Sequence, residues 1–156
     1  NSLPATIQSA ATLEKLKLEG TFLSWSDLDI VAELPNLEVL KLMCDACWGK
    51  KWYPIVGGFN RLKILLIDCH YYLKYWRATN DNFPVLERLV IRACYDLNEI
   101  PIEFVEIHSL QLIELTDCTR NLDASAARIQ QEQEDLGNNP VVVRIIKSPW
   151  WYGSNY

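Results

Sequence analysis

Apolar residues recur along this chain in one spacing, L-x-x-L-x-L, found five times: Leu13-Leu16-Leu18, Leu37-Leu40-Leu42, Leu62-Leu65-Ile67, Leu86-Leu89-Ile91 and Leu110-Ile113-Leu115. The starting leucines stand 24, 25, 24 and 24 residues apart. A second apolar column lies three residues before each start, at Ala10, Leu34, Phe59, Phe83 and Ile107. A third lies six before, at Ile7, Val31, Val56 and Phe104, broken by Asn80. Within each motif the fourth and sixth positions alternate with outward ones, the period of a short half-buried strand. A single unit has too few apolar side chains to bury a face alone, so units must stack and share a core.

This motif at this period is the signature of a leucine-rich-repeat solenoid. The expected fold is α/β: a horseshoe with a concave parallel β-sheet and a convex side of short helical turns or extended segments, where Pro35, Pro54, Pro84 and Pro101 fall. Residues 1–12 read as the tail of a preceding repeat, 13–121 as the repeats, 122–146 as a C-terminal helix and strand cap, and 147–156 as an aromatic polar tail. In the cap, Asp123 suits the N-cap, Gly137 the C′ position, and Ala126, Ile129, Gln133 and Leu136 share a face. Pro140 stops the helix and Val141–Ile146 reads as a last strand. The tail, with Trp150, Trp151, Tyr152 and Tyr156, is either disordered or packed back over the cap. Leu3-Pro4 and Ile7 resemble the back half of a repeat without its own cap, so the expectation is the C-terminal portion of a longer array.

Function is expected on the concave face, where the third, fifth and seventh motif positions point. The third column reads Lys15, Val39, Ile64, Arg88, Leu112; the fifth Lys17, Lys41, Leu66, Val90, Glu114; the seventh Glu19, Met43, Asp68, Arg92, Thr116. Val39, Met43, Ile64, Leu66 and Val90 thus form an apolar patch, with Lys15, Lys17 and Lys41 on one side and Arg88 and Arg92 on the other. An exposed apolar patch rimmed by charge marks a protein-binding surface, although apolar and β-branched residues also suit strands for their own sake. Tyr71 and Tyr72, at a strand exit, are candidate rim anchors. Trp52 and Trp76 are assigned to the convex core.

Composition narrows the classes. The 156 residues are 49% hydrophobic with a net charge of −5, which supplies no electrostatic footprint for nucleic acid. No apolar stretch reaches bilayer length and no secretory signal pattern opens the chain. Five cysteines, an odd count, and the absence of an N-x-S/T acceptor favour a reducing, cytoplasmic location. Cys44-x-x-Cys47 with Cys69-His70 offers only one C-x-x-C pair where a structural zinc site needs four ligands at recurring spacing. Cys44, Cys69, Cys94 and Cys118 fall seven or eight residues after their repeat starts and are read instead as buried ladder positions. Cys69 and His70 would point in different directions, and His108 reads as solvated. No nucleophile–base constellation can be assembled, so the chain is read as a binding module that is not an enzyme and holds neither metal nor cofactor.

A family resemblance rests on Phe83-Pro84-Val85-Leu86-Glu87-Arg88-Leu89-Val90-Ile91, followed by Cys94, Leu97 and Ile100-Pro101. This stretch resembles the repeat of plant intracellular nucleotide-binding leucine-rich-repeat immune receptors. Asp117-Cys118 and the Ala126–Gln133 helix are most similar to the coiled-coil class typified by late-blight-resistance proteins. The resemblance covers roughly residues 1–146. It implies effector recognition and autoinhibition, with a pathogen effector or the receptor's own nucleotide-binding module as partner. It also implies ADP or ATP on an upstream module, since no G-x-x-x-x-G-K-[ST] loop occurs here. The alternative is a substrate-recognition module of an F-box ubiquitin ligase, which also uses cysteine-bearing intracellular repeats.

Overall fold

The computed structural model describes residues 11–149. Its frame is a parallel sheet of six strands: β1 (Lys15–Leu18), β3 (Val39–Leu42), β6 (Ile64–Asp68), β8 (Arg88–Arg92), β9 (Leu112–Thr116) and β10 (Val142–Ile146). They lie side by side in chain order. The architecture is therefore α/β, with few helices. Register follows the motif: Leu16, Leu40, Leu65, Leu89, Ile113 and Val143 form one row, and Leu18, Leu42, Ile67, Ile91, Leu115 and Ile145 another. From Leu18 to Leu115 every fourth- and sixth-position side chain is buried. Leu16 and Leu13, at the β1 edge, are only half-buried, because no neighbour covers them among the described residues.

Past β3, β6, β8 and β9 stands a residue with left-handed backbone: Asp45 (φ 56°), Cys69 (φ 60°), Ala93 (φ 51°) and Asp117 (φ 52°). This conformation costs a non-glycine residue about 1–2 kcal/mol. It turns the chain so that the next side chain enters the core. The row of buried residues is accordingly Ala46, His70, Cys94 and Cys118. This corrects the cysteine ladder: Cys94 and Cys118 are buried as expected, but Cys44 and Cys69 are only partly so. The 25-residue spacing that opens at Leu37 shifts the phase, so Cys69 occupies the turn and His70 takes the inward place. The Cys94 and Cys118 thiols point at the carbonyls of Ile67 (4.0 Å) and Ile91 (3.4 Å) on the preceding strand.

The return segments hold short pieces: a 3-10 turn at Trp25–Asp27 leading into α1 (Leu28–Ala32), a second 3-10 turn at Ile102–Glu106, and the two-residue strands β2 (Leu23–Ser24), β4 (Cys47–Trp48), β5 (Lys51–Trp52) and β7 (Tyr75–Trp76). Trp52 and Trp76 fill the convex core as expected, stacked 5.4 Å apart and 4° from parallel. Trp25 extends the stack at 5.0 Å from Trp52, and Phe104 closes it edge-on at 5.1 Å from Trp76. Val56, assigned to an inner column, is 73% exposed. Ile55 packs against the core instead. Gly58 lies so close to Ala32 that a Cβ there would come within 2.7 Å of the Ala32 Cβ. Where Asn80 breaks the column, Asn82 is buried: its carbonyl oxygen accepts from the Thr79 backbone at 2.8 Å, and its amide donates to the Ile55 carbonyl.

The closing helix α2 spans Arg120–Asp135, starting earlier than expected, because Thr119 and not Asp123 is the N-cap. Thr119 Oγ1 accepts from the Leu122 backbone N–H (3.0 Å) and donates to the Leu97 carbonyl (3.1 Å), so the cap also ties α2 to the preceding unit. Asp123 lies in the first turn and pairs with Lys147 at 2.9 Å. At the other end Gly137 takes φ 76°, and the Gly137 and Asn138 amides close onto the carbonyls of Glu134 and Gln133, a Schellman ending. Ala126, Ile129 and Gln133 face inward, whereas Leu136 lies past the last packed turn and is 60% exposed. Gln133 bridges both ways, accepting from Val141 N–H (2.7 Å) and donating to the Val105 carbonyl (3.4 Å). Of the tail, Ser148 anchors to Asp117 through backbone and hydroxyl, each at 2.7 Å. The expectations for Ile7, Ala10 and the tail aromatics lie outside the described residues.

Candidate protein-binding face

The rows between the buried ones form the open face of the sheet. One runs Lys15, Val39, Ile64, Arg88, Leu112, Val142, and the next Lys17, Lys41, Leu66, Val90, Glu114, Arg144. Over the middle strands these side chains line a groove of about 570 Å³, its walls Lys15, Leu16, Lys17, Lys41, Arg88 and Arg92 and its floor Val39, Ile64, Leu66 and Val90. The expected residues are therefore brought together, with two differences. Met43 and Asp68 sit at the strand exits, half-buried, outside the groove lining. Leu66, expected to face solvent, is only 7% exposed, yet it is not part of the core cluster. Its place on a central strand explains this. Lys41 and Val90 stand beside it in register and Ile64 beside it along the strand, so water is displaced without any core contact.

The strand exits carry a second set of exposed rings. Tyr71 and Tyr72 are 46% and 53% exposed. Tyr71 stacks on Tyr95 at 5.0 Å, and Tyr72 leans on Trp48 at 4.8 Å. Sequence reading named the two tyrosines but missed their partners, which come from neighbouring units and share no local pattern. The Tyr71 hydroxyl donates to Cys69 Sγ at 3.7 Å, and this contact holds the phenol pKa above its usual value.

The candidate chemistry at Cys69-His70 separates as expected. Cys69 faces the rim beside Tyr71; burial and the neighbouring Cys44 thiol keep it protonated. His70 points inward, 5.2 Å from the Trp25 ring, and its Nε2 accepts the Cys47 backbone N–H at 3.3 Å. Burial lowers its pKa, and an Nε2 already accepting a hydrogen bond has no lone pair for a thiol or an ion. Burial raises Cys47 and Cys118 to about 12. Thiols held protonated in this way are poor nucleophiles. Among the described residues no group of three His, Cys, Asp or Glu side chains is placed to hold a metal ion, and no helix is long and apolar enough to cross a membrane.

No protein-family model matches the chain. Its curated relatives are plant disease-resistance proteins. More narrowly, the chain is a homologue of the late blight resistance protein homologs of Solanum demissum. It is 43% identical to each of two of them over 92% of its length, and 44% identical to a third over 89%. It spans about 11% of the length of each of these relatives.

Proposed function

We propose that this chain is a stretch of leucine-rich-repeat horseshoe from a plant disease-resistance receptor and that its open, concave face recognises protein surfaces. The partner is a pathogen effector, the receptor's own nucleotide-binding module, or each in turn, so that the same face serves recognition and autoinhibition. ADP or ATP would bind that module and not this chain, and the receptor would act in the cytoplasm. Parallel strands repeating in register every 24 or 25 residues support the repeat assignment. The relatives' names support the receptor over the ubiquitin-ligase alternative.

The observation that carries the binding role is the apolar floor Val39, Ile64, Leu66 and Val90 left uncovered between cationic walls. The core needs none of Val39, Ile64, Leu66 and Val90, and water favours covering them. The test is the Ile64→Glu/Val90→Glu double variant in the receptor that carries this chain, with folding checked by circular dichroism. A charge buried against a partner without a counter-charge is expensive. Loss of effector response assigns the face to recognition, and constitutive signalling assigns it to autoinhibition. A folded variant indistinguishable from the parent in both assays removes the open face as a binding surface.

A further inference from the structure

The charges around the floor are all of one sign. Lys15, Lys17, Lys41, Arg88 and Arg92 line the groove, with no carboxylate among the lining residues. Among the described residues none of the five forms an ion pair. The acids nearest in register are engaged or peripheral: Glu114 pairs with Arg144 at 3.1 Å, and Asp68 sits at the strand exit. A chain of net charge −5 would not gather five unpaired cations on one face by composition alone. Lys17 and Lys41 are moreover register partners on adjacent strands, about 4.8 Å apart, an arrangement of like charges that destabilises a sheet. A bound anion would relieve that repulsion and gain from the whole cationic rim, which lies within about two Debye lengths.

We propose that the groove is built for an extended, acidic polypeptide segment whose carboxylates flank apolar side chains. This rests on the reading of the open face as a binding surface and adds the chemistry of its partner. The lysine wall on β1 and the arginine wall on β8 are three strand spacings apart, about 14 Å. An extended chain crosses that gap in about four residues. Acidic residues at each end of such a segment meet Lys17 and Lys41 on one side and Arg88 and Arg92 on the other. Apolar residues between them settle on Val39, Ile64, Leu66 and Val90. A polynucleotide fits less well, because its phosphates would lie over the apolar floor and the groove has no aromatic side chain on which a base could stack.

The test is fluorescence anisotropy with the purified chain and a labelled peptide, Asp-Glu-Leu-Ser-Leu-Asp-Glu. Comparators are the same peptide with Lys for each acid, the same peptide with Ser for each Leu, and an oligothymidylate of matching charge. The acidic leucine peptide is expected to bind best, more weakly as salt rises, and to lose about tenfold or more in affinity with either Lys17→Glu/Lys41→Glu or Arg88→Glu/Arg92→Glu. Equal binding of the lysine peptide, tighter binding of the oligothymidylate, or no binding at millimolar acidic peptide overturns the proposal. So does a dimer in sedimentation that dissolves with those charge reversals, which would give the groove to a second copy. If the receptor loses its response with Ile64→Glu/Val90→Glu while the acidic peptide fails to bind, the face stands and the acidic ligand alone falls. If that receptor variant is also unaltered, both readings fall.

Discussion

Across the row Leu16, Leu40, Leu65, Leu89, Ile113 and Val143 the sheet carries one kind of side chain, whereas one residue further along it runs Lys17, Lys41, Leu66, Val90, Glu114 and Arg144. The first row faces the core and the second faces out. Stacked units constrain the first: each apolar side chain packs against its counterpart on both sides, so shape must repeat wherever the stack continues. Nothing packs on the second, so its chemistry is free to change from strand to strand. The difference teaches that the inner rows carry the fold and the outer rows carry whatever the protein recognises.

The largest effect that sharpens this contrast lies in the convex core. Trp52 is 1% exposed, stacked between Trp25 and Trp76 and edged by Phe59 and Phe83. Trp52→Ala should cost about 3–5 kcal/mol in urea unfolding. Trp52→Phe should cost clearly less, since the indole Nε1 is buried without a partner. Equal losses would deny the stack its importance. Next, Leu89→Ala should cost about 2–5 kcal/mol, Leu89 being fully buried.

A smaller effect tests where the two faces blur. Leu66→Glu should cost about 1–3 kcal/mol because the site is nearly closed to water. Ile64→Glu, half-buried on the same face, should cost visibly less in the same denaturation series. Identical midpoints would mean that Leu66 is open after all.

Smaller again is a pH effect. Burial lowers the folded-state pKa of His70 below its ordinary 6.5, so its neutral form belongs to the fold. Its contribution to stability is complete above about pH 6.5 and declines as pH falls toward the lowered folded value. His70→Gln, which keeps an acceptor for the Cys47 N–H, should flatten that part of the pH–stability curve. A slope unchanged in the variant would point to another group. The smallest change is Val90→Ala, expected within about 0.5 kcal/mol of the parent. A loss matching that of Leu89→Ala would put the register off by one residue and exchange the faces.

Much of this arrangement was legible in the residue order. The motif named every sheet strand before β10 and the inward rows, because a period-2 strand placed once per unit has one way to bury its leucines. Residues that depend on neighbouring units were less legible. His70 in place of Cys69, Ile55 in place of Val56 and Thr119 in place of Asp123 are each shifts of one to four residues, where local chemistry allowed two choices. The pairs Trp48–Tyr72 and Tyr71–Tyr95 left no trace in the sequence pattern, since their members meet only when units stack.

The sequence by itself determined which side chains repeat, and hence the strands, their parallel register and the sign of the outward charges. Periodicity is a one-dimensional property, and stacking similar units adds no freedom to it. Tertiary structure alone decided how deep each outward residue lies: Leu66 is closed over and Ile64 is not, though both are apolar residues on the open face of the same strand. It also decided that Lys17 and Lys41 stand together without a counter-charge. Burial and pairing depend on what adjacent strands set beside a residue, about 4.8 Å away in space and some 24 positions away in the chain.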